Sequence, residues 1–229
     1  MAHRLHLAVR STIHQFREFE HLEELVNSLY QFYNKHGHKQ KSHLRELADA
    51  LDSRLYELRY IFEIRWIASE ERALLAIHKN WLLLMDDLEA ISVDNDFTAE
   101  VKAKAKGIMG ELKGKNTLVL FHFLIDIVQE LAKWSKQLQK RAGTLIRLEQ
   151  YRTRMLESLR ALKTHHGTYL AGYLSVDLVC SSVTGRRKIS LQQYYSSESV
   201  KQHAKELLDD KDKVPQLDTI RSWTNCWSL

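Results

Sequence analysis

Apolar side chains recur every three or four residues over much of the chain, and the longest such run lies between Asn116 and Leu162. Its apolar positions share one face of a helix, while lysines and arginines occupy the opposite face. At about 1.5 Å per residue, an unbroken helix of this length would extend roughly 70 Å. Gly143 is the expected point of a bend, since glycine inside a helix costs about 1 kcal/mol relative to alanine. The pattern predicts one long bent helix or two collinear ones, with the apolar face covered by other helices.

Shorter runs with the same period predict further helices. They cover Leu5 to Phe16, Phe19 to Tyr33, Leu44 to Leu51, Ala73 to Ile91, Val101 to Leu112 and Val200 to Leu208. We expect Gly37 to follow the end of the second helix, because glycine is common just past a helix C-terminus. Ser69 and Thr98 are expected to cap the fourth and fifth helices, because their hydroxyl groups can accept hydrogen bonds from free amides of the first turn.

Two regions depart from the helical period. Apolar and charged residues alternate between Leu55 and Trp66, which predicts a half-buried strand or an extended crossing segment. After Leu162 the period fades: residues 164–172 are rich in turn-forming residues, and residues 173–183 are apolar without a clear period. We expect poor order from Asp209 onward.

Composition supports a helical fold, since the chain of 229 residues contains one proline and eight glycines. We predict an all-α, multi-helix bundle built on the long bent helix. No stretch of about 18 uncharged apolar residues occurs, and the N-terminus lacks a signal pattern. With only Cys180 and Cys226, a disulfide framework is not expected. These features predict a soluble intracellular protein, nuclear or cytoplasmic, with no membrane partner.

Motifs for common catalytic chemistry are missing from the sequence. There is no GxSxG elbow and no phosphate-binding loop, so no small-molecule substrate is indicated. Histidines 36, 38 and 43 surround a glycine, but they lack the further ligands of a zinc site. Asp86 and Asp87 are adjacent, and neighbours on a helix face different directions, which favours a solvated surface. Neighbouring His165 and His166 are expected to be exposed loop residues. We expect no metal and no cofactor.

A net charge of +5 and a pI near 9.1 are compatible with an anionic partner. Lysines cluster on two predicted helices and could contact phosphates if the fold brings them to one side. These candidate nucleic-acid contacts are Lys102, Lys104, Lys106, Lys136 and Lys140. Arg65 and Trp66 could place a guanidinium on a phosphate and an indole on a base. The alternatives are a solvated basic exterior, which is equally compatible with the lysines, and a tryptophan in the core.

Three segments, in order, resemble segments of hAT superfamily transposases and of the vertebrate genes domesticated from them. Residues 2–9 (AHRLHLAV) resemble the family's CxxHRLxLAV segment without its cysteine. Residues 65–68 (RWIA) and the helix behind them resemble its RWxS segment. Residues 134–139 (WSKQLQ) and 159–163 (LRALK) are similar to its LSKxLQ and LxxLK segments. The ordered set spans residues 2–170.

The resemblance implies that the chain corresponds to the helical insertion domain of an RNase H-like transposase. In that family three acidic residues hold the metal ions for DNA cleavage and transfer. Two of them would lie upstream of Met1, and no acid of this chain matches the third. The resemblance also implies that His3 matches the CxxH histidine, and that Trp66 matches a tryptophan used close to the DNA end. Catalytic activity is therefore not expected.

These inferences predict three regions. Residues 1–17 would be a helix orphaned from the RNase H-like domain, 18–170 the helical insertion-like domain, and 171–229 a poorly ordered tail with one short helix. The first hypothesis is a catalytically inactive, transposase-derived protein that binds DNA through a basic helical surface. The alternative is a helical scaffold that binds a protein partner through exposed apolar helix faces and has no nucleic-acid role.

Overall fold

A computed structural model describes residues 2–35, 37–62, 66–139, 145–162 and 164–183. All the regular secondary structure within these residues is helical, which confirms the predicted all-α class for the described part of the chain. The helices are α1 (Ala2–Ile13), α2 (Arg17–Asn34), α3 (His38–Ala50), α4 (Trp66–Lys79), α5 (Trp81–Val93), α6 (Ala99–Leu112), α7 (Lys115–Leu138), α8 (Leu145–Ala161) and α9 (Thr168–Val183). None of the described helices is both long and apolar enough to cross a membrane.

The chain forms two compact units. Of the described residues, those within 6–121 belong to the N-terminal unit, and 2–5, 122–139, 145–162 and 164–183 belong to the C-terminal unit. The predicted boundary after residue 170 falls inside α9. The predicted short helix from Val200 to Leu208 and the tail from Asp209 lie outside the described residues.

Helix α2 supplies much of the core of the N-terminal unit. Its apolar residues recur at helical spacing, and every one of the following is buried: Phe19, Leu22, Leu25, Val26, Leu29, Phe32 and Tyr33. Burial of each large apolar side chain stabilises the fold by roughly 1.5–3 kcal/mol. The predicted helix end is also confirmed, since α2 stops at Asn34 and Gly37 precedes α3. A Cβ at Gly37 would lie 1.9 Å from the Phe32 carbonyl oxygen, so this close turn requires glycine.

Residues 53–62 are non-helical and, among the described residues, pair with no strand. Of the two predicted alternatives, the extended crossing segment therefore forms and the strand does not. We call residues 53–62 the crossing segment. Helix side chains satisfy its backbone in place of a neighbouring strand. Asn80 accepts a hydrogen bond from the Tyr56 amide at 2.9 Å and donates one to the Tyr56 carbonyl at 2.5 Å. The Asn27 side chain accepts from the Ile61 amide at 3.1 Å. These hydrogen bonds satisfy backbone N–H and C=O groups of the crossing segment that a neighbouring strand would otherwise pair with.

The predicted cap at Ser69 is wrong. Helix α4 already begins at Trp66, and the Ser69 hydroxyl group lies one turn inside it. There it accepts a hydrogen bond from the Phe62 amide at 3.0 Å, so Ser69 ties the crossing segment to α4. The single helix predicted up to Ile91 is also broken at Asn80, which separates α4 from α5. By contrast, Thr98 caps α6 as predicted, accepting from the Val101 amide at 3.4 Å.

In the C-terminal unit, the long apolar run forms two separate helices, α7 and α8. The expected break at Gly143 lies outside the described residues. Seven consecutive α7 residues, 122–128, are buried, so this part of the helix is covered on all sides. On α8, Leu159 is buried, whereas Tyr151 and Met155 are half-buried. The apolar face of α8 is therefore covered only in part by the described residues.

Residues 164–167 form a turn as predicted, whereas α9 contradicts the turn-rich and aperiodic interpretation of residues 168–183. Its N-terminus is capped from a distant part of the chain. The Asp126 carboxylate on α7 accepts hydrogen bonds from the Tyr169 and Leu170 amides, both at 3.0 Å. A carboxylate so placed satisfies free amides and complements the positive end of the helix dipole. No residue near Thr168 signals this cap.

Candidate functional site

Three predicted nucleic-acid contacts lie on α6 in the N-terminal unit. Lys104 and Lys106 are exposed and Lys102 is half-buried. The Lys102 ammonium donates to the Asn95 side chain at 3.1 Å, and among the described residues no carboxylate forms an ion pair with any of the three. Their positive charges are therefore not neutralised by direct salt bridges.

The lysines of α6 flank a face with little side-chain bulk. Lys102 and Lys106 are four residues apart and lie about 40° apart around the helix axis, with Lys104 on the other edge. Between these edges lie Gly107 and Gly110, where an added Cβ would meet nothing within 4 Å, and, next to Lys104, the exposed acids Glu100 and Glu111. A polymer backbone could approach the helix axis closely here. Of the acids on this helix, Glu111 places a carboxylate oxygen 3.3 Å from the His21 Nε2.

The other predicted contacts are placed differently. Trp66 is 1% exposed, and its indole nitrogen donates to a Glu23 carboxylate oxygen at 3.2 Å. Its ring lies in the core of the N-terminal unit and offers no open face to a base. Trp66 is thus a core residue, which was the alternative to a base contact. Lys136 is exposed on α7 in the C-terminal unit. Arg65 and Lys140 lie outside the described residues, as does the side chain of His3.

A cleft of about 470 Å³ opens between α3, the end of α2 and the crossing segment. The residues around it are Tyr33, Asn34, Lys41, Leu44, Arg45, Ala48, Asp49, Ser53, Leu55, Tyr56, Glu57 and Leu58. Its volume lies within the range of small-molecule sites, roughly 300–1,000 Å³. No local sequence pattern predicts this cleft, because its residues come from three elements that are brought together only by the fold.

Tyr56 stands at the centre of a cationic cluster beside the cleft. The Lys79 ammonium lies 4.7 Å from the centre of its ring, and the Arg54 guanidinium lies 5.0 Å from it. Cations within about 6 Å of an aromatic face are attracted by its quadrupole. Asn80 holds both backbone groups of Tyr56, which anchors the main chain of this residue beside the cleft.

A buried polar network lies behind the cleft. Asp87 is 0% exposed, and its carboxylate accepts a hydrogen bond from the Tyr33 hydroxyl and contacts the His43 Nδ1, each at 2.6 Å. Burial raises the pKa of Asp87, and the bonds from Tyr33 and His43 partly oppose that rise. Burial, with the Asp87 charge, also raises the pKa of Tyr33. The expectation of a solvated Asp86–Asp87 surface is thus wrong for Asp87, although Asp86 is exposed.

The histidines do not assemble a metal site in the described part of the chain. His43 contacts Asp87, His38 is exposed, and His36 is not described. No group of three or more His, Cys, Asp or Glu side chains there could hold a metal ion. His165 is exposed as expected, whereas His166 is half-buried, and burial lowers its pKa.

Glu70 is the most unusual acid of the N-terminal unit. Its side chain is 0% exposed, and neither carboxyl oxygen has a hydrogen-bond partner among the described residues. Burial raises its pKa well above the usual value, and the charge of Glu23 adds to that rise. Glu23 is itself bound to His14 at 2.9 Å. Such a group is more costly to bury than an apolar side chain.

Comparison with known proteins does not place the chain in a family. No family model matches it, and no solved structure matches it. The resemblance to hAT transposases therefore stays a prediction from the segments at residues 2–9, 65–68 and 134–139.

Proposed function

We propose that this protein is a non-enzymatic nucleic-acid-binding protein whose N-terminal unit contacts the phosphate backbone. The observation that supports this most directly is the set of α6 lysines on either side of Gly107 and Gly110, none of which forms an ion pair with a carboxylate of the described residues. Lysines that contact phosphates release condensed counterions from the nucleic acid, which supplies sequence-independent affinity. The cationic cluster around Tyr56 adds positive charge to the same unit.

The experiment replaces Lys102, Lys104 and Lys106 together by alanine and measures binding to a fluorescein-labelled 20-nucleotide DNA by anisotropy at low salt. Alanine favours helix, so α6 should persist. Each lost phosphate contact should lower the slope of log affinity against log salt by about 0.7–0.9. We expect the triple variant to bind more weakly and with a slope smaller by about 2.

A matched variant replaces exposed lysines elsewhere in the chain: Lys35, Lys39 and Lys133. It removes the same formal charge and should retain most of the slope. Equal losses in both triple variants would show that net charge, and not the surface of α6, governs binding. Unchanged binding in the α6 variant would contradict the proposed surface.

A second candidate function is a scaffold that binds a protein partner. The observation in its favour is α8, where Ile146 is 73% exposed and the apolar stripe is covered only in part. Exposed apolar residues that occur singly are common on soluble proteins, so this observation carries less weight than the lysines. A labelled DNA that fails to bind even at low salt would favour the scaffold.

A further inference from the structure

We propose that the cleft between α3 and the crossing segment accepts one unpaired base of a bound strand, so that the protein prefers single-stranded to double-stranded nucleic acid. This inference rests on the proposed function and adds the form of nucleic acid that the N-terminal unit selects.

The chemistry of the cleft matches that of a base. Its apolar lining comes from Leu44, Ala48, Leu55 and Leu58, of which three are buried and Leu55 is half-buried. Asn34 and Ser53 also line it and can donate and accept hydrogen bonds. A nucleic-acid base has apolar faces and polar edges, and proteins bind unpaired bases through contacts with both. The cleft presents apolar and polar surface in similar amounts, as a base does.

The charges around the cleft suit the phosphates on either side of a base. Lys41 and Arg45 line the cleft, and Arg54 and Lys79 form cation–π contacts with Tyr56 at the edge of the cleft. The acids in its lining are Asp49 and Glu57, and Glu57 is paired with Arg59 at 2.6 Å. Two cations and two acids thus line the cleft, and Arg54 and Lys79 beside it add two further cations that a phosphate backbone passing over the opening can contact.

Three residues of the cleft wall are held by hydrogen bonds within the protein. Asn80 holds both backbone groups of Tyr56, and the Tyr33 hydroxyl is held by Asp87 at 2.6 Å. A site whose side chains are already ordered loses less conformational entropy on binding. The Lys41 ammonium is likewise held, by the Asn34 side chain at 2.7 Å.

Only an unpaired base can enter such a cleft at little cost. In a duplex each base is stacked and paired, and must be extruded before it reaches a protein pocket. The lysines of α6 make no such distinction, since both forms present phosphates. The cleft should therefore determine the ratio of single-strand to duplex affinity, and the α6 surface should determine the affinity common to both.

The test measures anisotropy of the full chain with labelled oligo(dT) of 20 nucleotides and with a 20-base-pair duplex, at one salt concentration. We expect the wild-type protein to bind the single strand roughly five- to a hundredfold more tightly, the range for burying one base against protein. Ser53→Leu, which fills the mouth of the cleft without adding an aromatic face, and Arg45→Ala, which removes a cation from its lining, should bring the ratio close to one. Both residues are exposed, so neither substitution disturbs the core.

Lys104→Ala is the matched control, because it removes one exposed cation from α6. It should weaken binding to both probes and leave their ratio unchanged. A wild-type ratio near one, or a ratio that Ser53→Leu and Arg45→Ala both leave intact, would overturn the cleft proposal while the proposed function stands. Failure to bind either probe would overturn the proposed function, and the cleft proposal with it. Circular dichroism of each variant verifies that the helices are retained.

Discussion

Replacing Glu70 by methionine should stabilise the N-terminal unit. Glu70 is fully buried, both carboxyl oxygens lack a hydrogen-bond partner among the described residues, and the nearby charge is that of another acid, Glu23. An unsatisfied buried polar group costs about 1–3 kcal/mol, and methionine has a similar length without that cost. We expect the free energy of unfolding to rise by about 1–3 kcal/mol. The melting temperature should rise by about 3–9 °C.

The assay is urea denaturation of the full chain, followed by tryptophan fluorescence at pH 5 and pH 8. Glu70→Gln is the matched control, since it keeps the unsatisfied polar atoms and removes the ionisable proton. Because the folded-state pKa of Glu70 is raised, its protonation favours the folded state, and stability is lost as pH rises from the unfolded pKa through the folded one. This loss should be absent from both variants. A methionine variant that is less stable than wild type by 1 kcal/mol or more would show that the carboxyl group has a favourable partner.

Three further predictions concern the polar contacts of each unit. Burial raises the pKa of Asp126 to about 6, so ionisation of this carboxyl group should destabilise the folded protein. As pH rises from 4 to 6.5, the wild type should lose up to about 3 kcal/mol of stability relative to Asp126→Asn. A difference between the two proteins that stays constant in calorimetric melts over that range would contradict this. Gly167→Ala should destabilise the C-terminal unit by about 2 kcal/mol in urea, since its Cβ would lie 2.2 Å from the Asp126 Cγ and displace the cap of α9; wild-type stability would refute the close approach. Tyr33→Phe should lower the free energy of unfolding in urea by about 1–3 kcal/mol, because Asp87 loses one of its two hydrogen-bond partners. Tyr30→Phe, at a half-exposed ring, should lower it less. Equal losses in the two variants would count against the network.

Local patterns predicted the features that depend on neighbouring residues. The apolar spacing of α2 places Phe19 to Tyr33 in the core, and Thr98 caps α6 through an amide three residues away. Both are determined within one or two turns of helix, where sequence spacing and spatial distance agree.

The misses involve partners far apart in the chain. Ser69 resembles a cap, but its hydroxyl group binds the crossing segment, and α4 starts before it. Helix α9 is capped by Asp126, more than forty residues away, so no start signal precedes Thr168. Asp87 is buried because Tyr33, 54 residues earlier, supplies a hydrogen bond. The cleft likewise depends on packing between elements, which periodicity does not encode.

The salt dependence of DNA binding by the wild-type chain tests the central claim most directly. The measurement is the affinity for a labelled 20-nucleotide DNA between about 50 and 200 mM KCl, the range in which counterion release dominates. Binding through several lysine–phosphate contacts predicts a straight line of log affinity against log salt with a steep negative slope, of about −2 or beyond for three contacts. Binding that does not change with salt, or no binding at the lowest salt, would contradict a protein that holds the phosphate backbone.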